Sequence, residues 1–380
     1  MTDARDLAVG PDPADDPAGD GSVGAGPDRD SAVVRIGGPG DLLDALPRML
    51  GYVPTGSAVL VALRPPRGRV TLTMRVDLPV RRQETSCARL LAGHAQRAGA
   101  TSALLVIYDD RPSPPATQWR GASLTREVRT ALRQRGGLRL TDAVVVRSGR
   151  WRSLLCRDAG CCPVEGQPLR DDSRPSAAAA ALVAEGASAL PSRAALAASV
   201  AGPSGPAAAD LARLQAAAAG ELATRMEAGE PVADVRAETV ALFRAVLDGS
   251  PSQGLPSDEG AARLLAGLAD IGARDVVLGW AGERDTGRLL ALLLALAPRA
   301  VDPLDAPVLT ALAWVAYARG DGTLANIAVE RALASDPDYT MARLVASGLE
   351  SGMHPKHVRA VSREVSKSGP HDQPEVTGRA

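Results

Sequence analysis

Aromatic side chains are nearly missing from this chain: they make up 2% of it, and Phe243 is the single phenylalanine. Binding of single-stranded nucleic acid relies on aromatic platforms for base stacking, and nucleic-acid binding in general on a basic field. Neither is supplied, because 43 basic residues stand against 44 acidic ones and the formal charge is −1. No nucleic-acid partner is expected. Lysine is almost as scarce, confined to Lys356 and Lys367. With abundant Ala, Gly and Pro, that arginine bias reads as GC-rich coding rather than as function.

Long hydrophobic runs are missing too. The longest apolar stretch, Leu289–Ala297, is about half of the ~18 residues that a membrane helix needs. The first residues carry no apolar leader, so the expectation is a cytoplasmic protein with no membrane contact, its four cysteines kept as free thiols. H-E-x-x-H, G-x-S-x-G, a Walker loop and C-x-x-C are all absent, so no catalytic residue and no cofactor is assigned. A literal G-x-G-x-x-G does occur at Gly19, Gly21 and Gly24. No strand pattern precedes it and no amphipathic helix pattern follows it, so it is rejected as a phosphate loop.

What is present divides the chain. Residues 1–30 are rich in Asp, Pro and Gly with little to bury, and read as a disordered acidic tail. Residues 31–170 read as an α/β domain, a mixed sheet with flanking helices. Strands are expected at Val33–Ile36, Ser57–Leu63, Val70–Val76, Ala103–Tyr108 and Leu138–Arg147, with a short run at Trp151–Leu155. Helices are expected at Asp41–Leu50, stopped by Gly51, at Arg82–Ala98 and at Leu124–Arg135. Strand–helix–strand spacing requires crossovers and hence parallel pairing within that sheet. After Gly166 only helical patterns appear, so residues 171–355 read as an all-helical domain, and residues 356–380 as a second disordered tail. Within the helical domain, Leu312, Ala313, Ala316, Gly320, Ala325, Ala332 and Pro337 follow the small/large spacing of one tetratricopeptide-type helix pair at about residues 306–337.

Two constellations could carry chemistry. Cys156, Cys161 and Cys162 lie within seven residues, at the junction of the two domains. Adjacent residues have Cα atoms ~3.8 Å apart, below the ~4.4 Å lower bound for a disulfide, which argues against a Cys161–Cys162 bridge. Zinc sites ordinarily use paired C-x(2–4)-C ligands, whereas this spacing is C-x4-C-C with no second pair. A thiol nucleophile would want a neighbouring histidine, and none is near. The preferred reading is a turn fixed by Pro163 and Gly166 in which cysteines pack as small hydrophobes, with metal binding left open. The second constellation is acidic. Parallel strands bind ligands beyond their carboxyl ends. If Val70–Val76 and Ala103–Tyr108 are neighbours, Arg75, Asp77, Asp109 and Asp110 meet there as a candidate site for a metal or a phosphate. Asp after a strand is also an ordinary turn residue. The stripe Arg126, Arg129 and Arg133 reads as a solvated helix face, and His354 and His357 as tail residues.

Several blocks together carry a resemblance. They are Leu46-Pro47-Arg48-Met49-Leu50-Gly51-Tyr52-Val53-Pro54, Arg75-Val76-Asp77-Leu78-Pro79 and Cys161-Cys162-Pro163-Val164-Glu165-Gly166, followed by Leu312-Ala313-Trp314, Arg319-Gly320-Asp321-Gly322 and Glu330-Arg331-Ala332-Leu333. In that order they resemble the uncharacterised family called domain of unknown function 4192, found in high-GC Gram-positive (actinobacterial) organisms. The resemblance spans about residues 33–356 and implies a bacterial cytoplasmic protein without an assigned activity. Asp305 departs from the basic residue that the family pattern places there. The functional expectation is an interaction or regulatory module that engages a protein partner through its C-terminal helical surface. An enzyme or small-molecule binder using the strand-end edge is the alternative. The sequence leaves oligomeric state open.

Overall fold

A computed structural model describes residues 7–9, 34–65, 68–110, 119–170, 174–249, 256–283 and 286–368. Gly19, Gly21 and Gly24 lie outside them, as does most of the acidic tail. The chain forms two compact units, Met1–Arg193 and Ala194–Ala380.

In the first unit, strand β1 (Leu7–Val9) pairs antiparallel with β2 (Val34–Ile36). The expectation of a wholly disordered tail is thereby corrected at these three residues, the one apolar run in it. Helix α1 (Pro39–Leu50) starts with proline in its first turn and stops at Gly51, whose φ of 77° is left-handed and so suits glycine. Strands β3 (Ser57–Arg64) and β4 (Arg69–Asp77) pair antiparallel as a hairpin. Helix α2 (Glu84–Arg97) leads to β5 (Ser102–Tyr108), and α3 (Ala122–Gln134) leads to β6 (Arg139–Arg147). Two short strands follow, β7 (Arg150–Ser153) and β8 (Gln167–Pro168). The latter is a strand beyond Gly166, where only helices were expected.

The main sheet has the order β4-β3-β5-β6-β7-β8, and of its pairings only β5–β6 is parallel. The β5–α3–β6 unit therefore pairs as the crossover rule requires. The β4–α2–β5 unit does not, because β3 inserts between its strands and pairs antiparallel with both. Side chains alternate across this sheet. Ala58, Leu60, Leu105, Ile107 and Val145 pack with Leu91 and Ala92 of α2 and Leu124, Val128 and Leu132 of α3 in one buried cluster. Val59, Val61, Val106 and Val144, of opposite parity, are buried as well, so the sheet is covered on both faces.

Helix α4 (Ala177–Ala184) belongs to this unit rather than to the helical half. It packs against α1 and β2 through Ala178, Ala179 and Leu182, and the backbone N–H of Ser176 donates to Asp44 Oδ2 at 2.5 Å. The boundary expected near residue 170 accordingly moves to Arg193.

The second unit is helical: α5 (Arg193–Ser199), α6 (Gly205–Glu227), α7 (Val232–Asp248), α8 (Asp258–Gly267), α9 (Ile271–Gly279), α10 (Gly287–Leu296), α11 (Asp305–Ala318), α12 (Gly322–Ser335), α13 (Thr340–Ser351) and α14 (Pro355–Ser368). The helix pair expected at about 306–337 is α11 and α12, turned at Gly320 with φ 87°. Helix α14 overturns the expectation of disorder from residue 356. Its Val358 and Ser362 are buried, and it crosses the turn Trp280–Gly282 so closely that a Cβ at Gly282 would lie 2.8 Å from Arg363 N. Asp305 is buried at the start of α11, where its Oδ1 accepts from Ser335 Oγ at 2.8 Å. No helix among the described residues is long and apolar enough to cross a membrane.

Candidate functional site

The strand-end edge gathers the expected residues around one that the sequence reading passed over. Ser57 opens β3 and stands opposite Asp77 on one side and Tyr108 on the other. Arg75 Nε donates to Ser57 Oγ at 2.8 Å, and its Nη1 pairs with Asp77 Oδ1 at 2.7 Å. Asp110 Oδ2 accepts from the backbone N–H of Gly56, whereas Asp109 is wholly buried and its own N–H donates to Val146 O at 3.0 Å. The three carboxylates therefore share an edge without forming a common ligand set. With β3 between β4 and β5, Asp77 turns to solvent at 89% side-chain exposure. Tyr108 is buried beneath this edge, and burial raises its phenol pKa well above the ordinary value. Its hydroxyl has no hydrogen-bond partner among the described residues.

The cysteine loop is built differently. Leu154 N donates to Ala143 O at 2.7 Å, which ends the sheet pairing of β7, and the chain then turns about Ser153. The Ser153 hydroxyl donates to Asp142 Oδ1 at 2.6 Å and accepts from the N–H groups of Leu155 (3.1 Å) and Cys156 (3.0 Å). Asp158 folds the next turn, with its carbonyl taking Cys162 N at 2.8 Å and its Oδ1 taking Gly160 N at 2.8 Å. On the return, Trp119 Nε1 donates to Val164 O at 2.7 Å, Arg150 Nη2 to Gly166 O at 2.8 Å and Gln167 Nε2 to Cys161 O at 3.1 Å. These two turns bring the sulfurs of Cys156, Cys161 and Cys162 within 4.8 Å of one another. Cys162 is buried, Cys156 half-buried and Cys161 exposed, and all three are free thiols. Burial pushes the Cys162 thiol up to about 11, although the N–H of Ser153 works the other way. A thiol so raised is protonated at neutral pH and is no spontaneous nucleophile.

The other singled-out residues are placed simply. Arg126 and Arg133 are exposed and Arg129 half-buried, opposite the buried Leu124, Val128 and Leu132. His354 Nδ1 accepts from Lys356 N at 3.1 Å at the start of α14, and His357 is exposed. The helix pair α11–α12 does not present an open groove on α11, since thirteen of its residues are buried and it is packed by α10, α12, α13 and α14. A shallow groove lies elsewhere in the second unit, between α6, α7 and α8. Its apolar lining includes Leu222, Val235 and Leu242, and its charged rim includes Arg225, Glu238 and Arg263. No motif marks this groove in the sequence. The signal is only a 23-residue helix, α6, with two buried residues, Gln215 and Ala218.

The family model described as Domain of unknown function (DUF4192) matches residues 39–356. The chain belongs to that family. The match runs from the start of α1 into α14, so it takes in the strand-end edge, the cysteine loop and the helical groove of this DUF4192 protein alike. No curated protein and no solved structure matches the chain.

Proposed function

We propose that this DUF4192 chain is a non-catalytic interaction module that holds an amphipathic helix of a protein partner in the α6–α7–α8 groove. The observation that carries the reading is the make-up of that groove: half-buried Leu222 and Leu242 and buried Val235 give it an apolar strip, and acidic and basic side chains stand along it. Helix-in-groove recognition uses this combination, apolar anchors at spacings of three and four with flanking charges for register. Arg225 Nη2 reaches Glu230 Oε1 at 2.5 Å and Glu238 Oε2 at 2.6 Å, so that the end of α6 is tied to α7 across one end of the groove. Met226 and Val232 are exposed apolar residues near the turn joining these helices. The strand-end edge gives a ligand less support, because Arg75 is committed to Ser57 and Asp77, and Asp110 to Gly56.

Photo-crosslinking in cells that express the chain natively tests this. A photoreactive residue at Leu242 is expected to give one adduct of defined mass, which disappears when Leu222→Glu is added and is not formed from exposed Ala360. An adduct that survives Leu222→Glu in a folded chain, or forms only outside the groove, overturns the proposal.

A further inference from the structure

We infer that Cys156, Cys161 and Cys162 bind one zinc ion through three thiolates, leaving its fourth coordination position to water or another exogenous donor. The inference does not depend on the helical groove. It starts from what the loop lacks. Between Leu154 and Gly166, only Cys162 and Gly166 are buried, and the run Arg157–Cys161 is exposed throughout. Leu154 and Leu155 pack against the main core and Cys162 is buried, but exposed Cys161 gains nothing as packing.

Geometry then points the same way. The sulfurs come from two separate turns and still lie within 4.8 Å of one another. Zn–S bonds of about 2.3 Å in a tetrahedron place sulfurs roughly 3.8 Å apart, so a small closure completes the ligand set. Gradation of burial gives the ion a floor at Cys162 and an entrance at Cys161. Loading the site replaces three S–H bonds by three Zn–S bonds and releases three protons to solvent, so Zn²⁺ with three thiolates carries a net charge of −1. Cationic groups are already in place against the same loop: Arg150 donates to the carbonyls of Glu165 and Gly166, and Arg152 Nη1 to Val164 O at 3.4 Å. No other Cys, His, Asp or Glu among the described residues joins the group. Three protein ligands with one open position is the arrangement of an exchangeable or reactive zinc site rather than of a closed structural one.

The test uses the full chain, purified under reducing conditions, stripped with a chelator and titrated with Co²⁺ and then Zn²⁺. One equivalent of cobalt is expected to give tetrahedral visible bands with sulfur-to-cobalt charge transfer, and zinc to bleach them stoichiometrically. Cys161→Ser is the informative variant, since its side chain is exposed and the fold does not depend on it. It is expected to weaken binding at least tenfold and to lower the charge-transfer intensity, while Cys87→Ser, a thiol outside the cluster, leaves both unchanged. Circular dichroism of the metal-free variants establishes that they are folded. No thiolate-to-cobalt band in the folded, reduced chain overturns the inference, as does cobalt binding that Cys161→Ser leaves intact.

Discussion

The indole nitrogen of Trp314 donates to the hydroxyl of Ser362 at 2.9 Å, joining the C-terminal part of α11 to the middle of α14. This bond shows why the last helix is ordered at all. Trp314 is the half-buried residue in an otherwise buried α11, and its polar edge needs a partner wherever water is excluded. Ser362 supplies it, and Val358 one turn earlier is fully buried. Removing two methyl groups with Val358→Ala is expected to cost about 2 kcal/mol, from lost burial plus the cavity left behind. A chain ended after His354 is expected to lose more, because Trp314, Gly279 and Gly282 all lose their cover. Denaturant unfolding followed by tryptophan fluorescence measures both. A truncated chain as stable as the full one would show that α14 is only an appendage.

Gly166 is a position where the structure leaves no room for a side chain. Its φ is 78°, and a Cβ there would lie 2.6 Å from the Trp119 ring and 2.8 Å from the carbonyl of Trp151. Gly166→Ala combines left-handed strain, about 1 kcal/mol, with displacement of an indole whose Nε1 holds Val164. The expected outcome is a loss of at least 2 kcal/mol with a changed tryptophan emission and loosened cysteines, read as faster alkylation of Cys162 by a thiol reagent. Unchanged alkylation would mean that the loop holds its sulfurs without the Trp119 clamp.

These two positions also show what could be read from the chain beforehand. The helix stop at Gly51, the β3–β4 hairpin and the parallel pair around α3 follow from local pattern, since each is set by residues adjacent in sequence. The insertion of β3 between β4 and β5 does not. A hairpin and a crossover leave the order of three strands open, and that order decides whether Asp77 and Asp109 meet. Helix α14 was illegible because its buried stripe is narrow, a valine and a serine among charged neighbours, and its packing depends on glycines about eighty residues away. The cysteine spacing likewise says nothing of convergence, which is made by the turns at Ser153 and Asp158.

Asp270 offers a pH-dependent check on the second unit. It caps α9, with Oδ1 accepting from Ala273 N at 2.7 Å and from Arg236 Nε at 2.7 Å. Burial alone would raise its pKa, but the Arg236 guanidinium and the N–H groups of Ala273 and Gly272 outweigh it and hold the carboxyl below its usual range. A depressed native value means that the unfolded chain takes up a proton first as pH falls. The stabilisation from this group is therefore fully present above the unfolded carboxylate value of about 3.9 and is lost as pH drops through the native value. Asp270→Asn keeps an oxygen for the cap but removes the charge facing Arg236. With the side chain partly exposed, the expected loss at pH 7 is about 1 kcal/mol. Urea titrations of both proteins at pH 7, 5 and 3 should show that gap intact at the first two and narrowed at the third. A gap that stays constant down to pH 3 would mean that the charge contributes nothing and that the cap acts through its hydrogen bond alone.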